Sequence, residues 1–271
     1  MRQYYKTNGF ELYEGSCLDV LKTLNENSVD LIFADPPYFL SNGGFTCKAG
    51  KMAPVNKGSW DESHGFDSDY KFTLAWLSAC RRVLKDNGTI WISGTLHNIY
   101  QIGFALKKLQ YEILNEVTWF KPNAPPNLSC RYFAHSHETL LWARKEKHAK
   151  HKFNYSVMKN WDVSKDRINH PGKQMRSVWS IPLTPKEEKI GSGHPTQKPI
   201  ELLKRIISAS SDEGDMVLDP FNGSGTTGVV SAMLGRNYMG IDKNTEFLEM
   251  TQERYNQLLN IKESPVPTLH L

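Results

Sequence analysis

The sequence predicts an α/β fold built on a largely parallel sheet, and three observations carry that expectation. Short apolar runs alternate with amphipathic stretches along most of the 271-residue chain. Two of those runs, Val29-Asp30-Leu31-Ile32-Phe33-Ala34 and Asp215-Met216-Val217-Leu218-Asp219, lead directly into loops where an aspartate precedes proline. After the second run, the glycine-rich stretch Gly223-Ser224-Gly225-Thr226-Thr227-Gly228 joins a strand to a helix, the way α/β folds hold nucleoside ligands.

Taken in order, Phe10–Tyr13 reads as a strand. Ser16 then opens a helix, with Asp19 placed for a capping box and Leu18, Leu21 and Leu24 on one side. Val29–Ala34 is a buried strand. Ser68–Leu84 is a helix, and Thr89–Ser93 is a strand entered through the Asn87-Gly88 turn. A helix over His97–Leu109 and strands near Tyr111–Phe120 and His137–Arg144 follow. Lys145–Gly193 changes character: it is polar and basic, and its aromatics show no clear period, so it reads as a separate lobe or long insertion. Pro199–Ser211 returns to helix, Asp215–Asp219 is a strand, Ser224–Leu234 a helix, Tyr238–Asp242 a strand and Asn244–Leu259 a closing helix. The stretch after Glu263 reads as a loose tail.

Composition narrows the class. Hydrophobic residues make up 39% and aromatics 11%, which excludes wholesale disorder. No apolar run is long enough to span a bilayer, and Met1–Lys6 lacks the apolar stretch of a signal peptide, so no membrane partner is expected. Four cysteines lie far apart without metal-ligand spacing, which fits free thiols in a cytoplasmic protein and no metal site. Between Arg144 and Arg176 ten Lys or Arg face three acids, a net of +7 in a chain whose overall charge is +4. Lys48, Lys51 and Lys57 form a second basic group. Such runs on a near-neutral body are either a solvated face or a phosphate-binding footprint.

The glycine loop, read literally, is GxGxxG with Asp242 downstream to accept from ribose hydroxyls, so a dinucleotide has to be weighed. Asp219 argues otherwise. At the mouth of the loop it would repel a pyrophosphate but attract an amino acid's ammonium group. S-adenosyl-L-methionine carries that ammonium and a sulfonium, and no phosphate. Thr226 or Thr227, with the loop amides, could hold its carboxylate at the helix N-terminus. This reading favours S-adenosyl-L-methionine over NAD.

Asp35-Pro36-Pro37-Tyr38 follows the first buried strand. An exocyclic amine on an aromatic base is a poor nucleophile because its lone pair is delocalised into the ring. Acceptors for both amino hydrogens would draw the nitrogen towards tetrahedral geometry. The Asp35 carboxylate can accept one and the Pro36 carbonyl the other, with two prolines fixing the backbone. Tyr38 offers a flat face for an extruded base.

Together these residues resemble the β-class of amino-methyltransferases from bacterial restriction–modification systems. In that class the Asp-Pro-Pro-Tyr half precedes a target-recognition region and then the cofactor half. Here Asp35 precedes Asp219 by 184 residues, with the basic segment between them. The resemblance covers nearly the whole chain and implies a methyltransferase fold of circularly permuted order. Its divisions are a catalytic half over 1–144, target recognition over 145–193, a cofactor half over 194–262 and a tail over 263–271. His194-Pro195-Thr196-Gln197-Lys198-Pro199 is similar to a family element that places Thr196 and Lys198 near the cofactor's methionine end, and Phe221 is expected beside the cofactor. The acid that relatives carry after the first turn glycine is missing, since Ser16 follows Gly15. The resemblance implies methyl transfer to N6 of adenine in DNA. It extends to the second, smaller adenine methyltransferase of DpnII-type systems, which would imply GATC as target. Recognition would fall to Lys145–Gly193, with the Phe39–Trp60 loop closing over the site; some members of the class are homodimers. The alternatives are N4-cytosine methylation, whose enzymes usually open the tetrapeptide with Ser, methylation of RNA or a protein amide, a cofactor-binding regulator, and a nucleotide-dependent oxidoreductase if the loop binds NAD.

Overall fold

The computed structural model of the chain describes residues 1–39, 45–48, 51–54, 61–164, 166, 168–189 and 197–263. Its first half comprises β1 (Arg2–Thr7), β2 (Phe10–Glu14), α1 (Cys17–Leu21), β3 (Val29–Ala34), β4 (Phe45–Lys48), β5 (Lys51–Pro54), α2 (Phe66–Val83), β6 (Leu84–Gly94) and α3 (Ile99–Lys108). The second half comprises β7 (Glu112–Phe120), β8 (His137–Arg144), α4 (Tyr155–Lys159), β9 (Val178–Ser180), α5 (Ile200–Ser210), β10 (Met216–Asp219), α6 (Thr226–Met233), β11 (Asn237–Asp242) and α7 (Thr245–Glu263).

Among the described residues one sheet runs in the order β1-β2-β11-β10-β3-β6-β8-β7-β9, and β4 pairs with β5 as a hairpin. All strands of that sheet except β1 and β8 point the same way. The mostly parallel sheet expected from the sequence is therefore present. Strand β3 shows how it is buried on both faces. Its Ile32 and Ala34 pack with Trp76 and Leu77 of α2 and Ile102 of α3, while Leu31 and Phe33 pack with Leu202 and Ile206 of α5 and Val230 of α6. A continuous apolar run, rather than an alternating one, is what a strand covered on both sides requires.

This topology sets the position of the site. From β3 the chain passes through α2 to β6, and from β10 it passes through α6 to β11 on the other side. Strands β3 and β10 are parallel neighbours, with Leu31 opposite Val217, so the winding reverses between them. A crevice opens outside the carboxyl ends of the strands at such a reversal.

Several local expectations change. Ser16 stands at the N-cap of α1 but makes no side-chain capping bond, so the capping box with Asp19 is not formed. Burial of Cys17, Val20 and Leu21 places this short helix instead. Asn87-Gly88 does not precede a strand but lies inside β6. Pairing jumps from Val29 opposite Leu84 to Leu31 opposite Thr89, so Lys85–Gly88 bulges out of the ladder. Strand β1 and the β4–β5 hairpin were not anticipated.

The described part of the basic segment is tied to the body by ion pairs and hydrogen bonds. At its start Arg144 bonds Glu112 at 2.6 Å and Lys145 bonds Asp86 and the Leu84 carbonyl, both at 2.9 Å. Lys152 pairs with Asp212 and Asp215. These partners stand at the amino ends of β6, β7 and β10, the edge of the sheet opposite the carboxyl ends and roughly 20 Å from them along the six-residue β3. The segment then follows α5, with Asn154 donating to the Ser208 and Ser211 carbonyls and Trp161 to Glu201. Asp166 forms a buried 2.9 Å ion pair with Arg205, and Trp179 enters the core as β9 adds to the sheet beside β7. Within the described residues no helix is long and apolar enough to cross a membrane, and Cys17, Cys80 and Cys130 are free thiols.

Candidate active site

A cavity of about 760 Å³ opens at the winding reversal and brings both sequence motifs to one space. Asp35, Pro36, Tyr38 and Lys198 line it from the β3 side. Asp219, Phe221, Gly223, Thr226, Thr227 and Asp242 line it from the β10 side. Gly225 lies behind this surface, and Thr196 lies outside the described residues. The Phe39–Trp60 loop is described only at Phe39 and as the β4–β5 hairpin, so its closing role also lies outside them.

On the β10 side the chain turns sharply into α6. Gly225 has φ +73°, and a Cβ there would strike the Thr251 side chain. Asn222 accepts from the Tyr238 hydroxyl at 2.8 Å and donates to Thr251 at 2.8 Å, which fixes the turn. Asp219 is buried at the end of β10; it accepts from the Phe221 amide at 3.0 Å and the Thr227 hydroxyl at 2.6 Å. Burial pushes its carboxyl up to about 7, against the pull of those two donors. Asp242 accepts from the amides of Gly223 at 2.8 Å and Asn244 at 2.9 Å, and burial raises its carboxyl as well. The two threonines line the cavity and are also engaged within the protein. Thr227 serves Asp219, and Thr226 accepts from the buried Arg254 at 2.9 Å. Phe221 meets Trp76 edge-on at 5.3 Å, which presents its ring as a cavity wall.

On the β3 side the tetrapeptide is held at several points. Asp61 is fully buried and accepts from the amides of Tyr38 at 2.8 Å and Phe39 at 2.9 Å. The Asn98 amide donates to the Pro37 carbonyl at 3.2 Å. Tyr38 is only 6% exposed, and its hydroxyl lies 2.7 Å from Asp35, 2.9 Å from Ser93 and 3.1 Å from Glu138. Lys198 donates to the other Asp35 oxygen at 2.6 Å and lies 5.3 Å from the centre of the Tyr38 ring. The ammonium thus lies towards the hydroxyl end of that ring, 3.3 Å from the Tyr38 oxygen, and Lys198 is bound to the tetrapeptide's carboxylate.

Residues that the sequence reading passed over complete this arrangement. Glu138 is the second residue of β8, whose next five residues are buried, and a lone acid there was a readable signal. Lys121 follows β7 directly and pairs with Glu138 at 2.5 Å. Asp61 and Arg254 had no local signal: one follows the unpatterned sequence Val55-Asn56-Lys57-Gly58-Ser59-Trp60, the other lies on a helix of mixed character.

A family model described as DNA methylase matches residues 29–253. The type II methyltransferase M2.DpnII of Streptococcus pneumoniae is 50% identical over 254 residues, covering 93% of this chain and 92% of that protein. M2.MboI of Moraxella bovis, also a type II methyltransferase, is 47% identical over 260 residues, covering 95% and 92%. Among solved structures, the M1.HpyAVI–SAM complex superposes with a TM-score of 0.65 at 26% identity, covering 91% of this chain and 99% of that one. The cytosine-N4-specific PvuII DNA methyltransferase shares the fold, with a TM-score of 0.69 at 18% identity over 95% of each chain. With motif order, cavity and family match in agreement, the chain belongs to the DNA methylase family.

Proposed function

We propose that this protein is a site-specific DNA methyltransferase that uses S-adenosyl-L-methionine to methylate N6 of adenine, as the modification enzyme of a restriction–modification system. The observation that carries the reading is that Asp35 and Asp219 face one cavity from neighbouring parallel strands. The cavity volume suits a nucleoside cofactor with an inserted base. Asp219, raised to about 7 and hydrogen-bonded to a hydroxyl and an amide, fits a ligand that brings its own ammonium group. Bound there, S-adenosyl-L-methionine supplies a methyl group activated by a sulfonium.

This chain's residues do the rest. Asp219 holds the amino-acid end of the cofactor, and Asp242 the ribose. Asp35 accepts one hydrogen of the substrate amine and the Pro36 carbonyl the other, which directs the nitrogen lone pair. Asp61 and Asn98 keep those acceptors in place through the Tyr38 and Phe39 amides and the Pro37 carbonyl. As the amine gains a methyl group it sheds a proton, for which the Asp35 carboxylate is a base in the same cavity. Positioning and fixed charges supply most of the acceleration in such a step. Asp at position 35, where N4-cytosine enzymes usually carry Ser, supports adenine as the base, and GATC is the target implied by the DpnII-type relatives.

The DNA path belongs at the carboxyl edge of the sheet. There the loop between β7 and β8 exposes Arg131, Tyr132, Phe133 and His135, and the stretch after β9 exposes Lys186 and Lys189. The test is methyl transfer from labelled S-adenosyl-L-methionine to duplex and single-stranded DNA, followed by nucleoside analysis. N6-methyladenine is the expected product; N4-methylcytosine, or label in RNA alone, would overturn the reading.

A further inference from the structure

Behind Asp35 lies a second set of charges that the proposed chemistry does not touch. Glu138 at the start of β8 accepts from Lys121 at 2.5 Å, from Tyr38 at 3.1 Å and from Ser93 at 3.2 Å, and pairs with Lys198 at 3.5 Å. The side chains of Glu138, Lys121 and Lys198 are 12%, 12% and 7% exposed. Asp35, Tyr38 and Lys198 line the cavity, whereas Glu138 is not among its lining residues. The four charges alternate in sign from the cavity inward: Asp35, Lys198, Glu138, Lys121.

We propose that Glu138 is a positioning residue for methyl transfer, holding the Lys198 ammonium between itself and Asp35 so that the Asp35 carboxylate is fixed without being claimed by a private counter-ion. The inference rests on the reading of Asp35 as acceptor for the substrate amine. An isolated Asp35–Lys198 pair would commit the lysine's charge wholly to the carboxylate that has to attract an increasingly positive amine. Shared between two carboxylates, the same ammonium fixes the Asp35 geometry and leaves more of its negative potential facing the cavity. Lys121 in turn balances Glu138, which would otherwise be a buried charge with half a partner.

A proton relay through the Tyr38 hydroxyl, which bridges Asp35 and Glu138, is the rival use of this geometry. The charge balance argues against it. Burial works to raise the Glu138 carboxyl, but Lys198 and Lys121 outweigh it and hold it at about 2, too weak a base to receive the proton. Lys198 moves the other way: burial favours its neutral form, but Asp35 and Glu138 raise its ammonium above the ordinary lysine value. Burial and the charges of Asp35 and Glu138 push the Tyr38 hydroxyl well above its usual range. Glu138 raises both Lys198 and the Tyr38 hydroxyl, so its loss should lower both; burial still holds the hydroxyl high, whereas for Lys198 burial pulls in the same direction as the loss.

The experiment is single-turnover transfer from labelled S-adenosyl-L-methionine to DNA lacking N6-methyladenine, between pH 7 and 10, alongside cofactor binding and thermal unfolding. For Glu138→Gln we expect cofactor affinity within about twofold of wild type and a rate near neutrality lower by about tenfold. Its alkaline limb should fall inside the assayed window, because Lys198 has lost one of its two carboxylates while Lys121 still repels it. Adding Lys121→Met to Glu138→Gln removes that repulsion, so the limb should move back to higher pH; the double variant also leaves no surplus buried cation. A merely structural role would lower rates with the folded fraction and leave the profile in place. Wild-type rate and profile in Glu138→Gln would overturn the inference, as would a limb that ignores Lys121→Met. Asp35→Asn separates the two levels: if it still transfers methyl groups, the reading of the site fails, whereas an inactive Asp35→Asn with an unaffected Glu138→Gln sinks only the role of Glu138.

Discussion

Asp35 and Asp219 are both aspartates that follow or end a buried parallel strand, both precede proline, and both face the same cavity. Their surroundings differ in one respect. Asp35 lies 2.6 Å from the protein's own ammonium at Lys198. Asp219 has a hydroxyl and an amide as its hydrogen-bond donors, and burial raises its carboxyl to about 7. One carboxylate is charge-balanced from within the fold, and the other is left for a cation that a ligand must bring. The difference separates a group that has to stay ionised while it works from one whose ionisation is stabilised by binding.

Asp35→Ala is the most severe way to test that contrast. Transfer should fall by about a hundredfold to a thousandfold or more, while calorimetric cofactor affinity stays close to wild type. A parallel loss of binding would erase the division of labour. Asp219→Asn should act the other way and weaken cofactor binding by about tenfold to a hundredfold, the worth of a hydrogen-bonded charge. The pH dependence sharpens this. In the free protein Asp219 ionises near 7, and only its ionised form attracts an ammonium group, so affinity should be full above pH 7. Below it, affinity should drop by up to about tenfold per pH unit until the pKa of the bound state is reached. Asp219→Asn should flatten that dependence; an unchanged slope would assign it to another group.

Thr227→Val removes a donor from Asp219 alone. Cofactor affinity at pH 7 should fall by about twofold to tenfold, with the midpoint of the pH dependence moving up because the ionised carboxyl has lost a hydrogen bond. The smallest effect is expected at the far end of the sheet. Neutral replacement of Lys147 and Lys150, beside the residues that tie Arg144 and Lys145 to the amino edge, should leave the salt dependence of DNA binding unchanged. Replacing Arg131 or Lys186 at the carboxyl edge should lower the slope by about 0.9 for each phosphate no longer neutralised. The reverse result would move the DNA to the edge opposite the cavity.

Legibility in the sequence followed the range of the interactions. Strand β3 was readable because burial on both faces imposes a continuous apolar run. The glycine loop was readable because the positive φ of Gly225 and its packing against Thr251 constrain residue type at a single position. Most element ends moved by only a few residues, as with Pro199–Ser211 against Ile200–Ser210, whereas β6 begins five residues before the expected Thr89. The basic run was countable but not placeable. Its charge gave no hint that Lys152 serves Asp212 and Asp215 while Lys145 serves Asp86, leaving both at the amino edge.

By itself the sequence determined the parallel α/β architecture, the order of the two motifs and the choice of an ammonium-bearing cofactor over a pyrophosphate, since each follows from local pattern or the sign of one charge. Only the tertiary structure decided what surrounds Asp35. Its environment is assembled from Tyr38 on its own loop, Ser93 at the end of β6, Lys121 after β7, Glu138 at the start of β8 and Lys198 ahead of α5. No periodicity links those positions, because they meet through the lateral order of the strands. In a buried space the energy of each charge depends on which partners that order brings within about 4 Å.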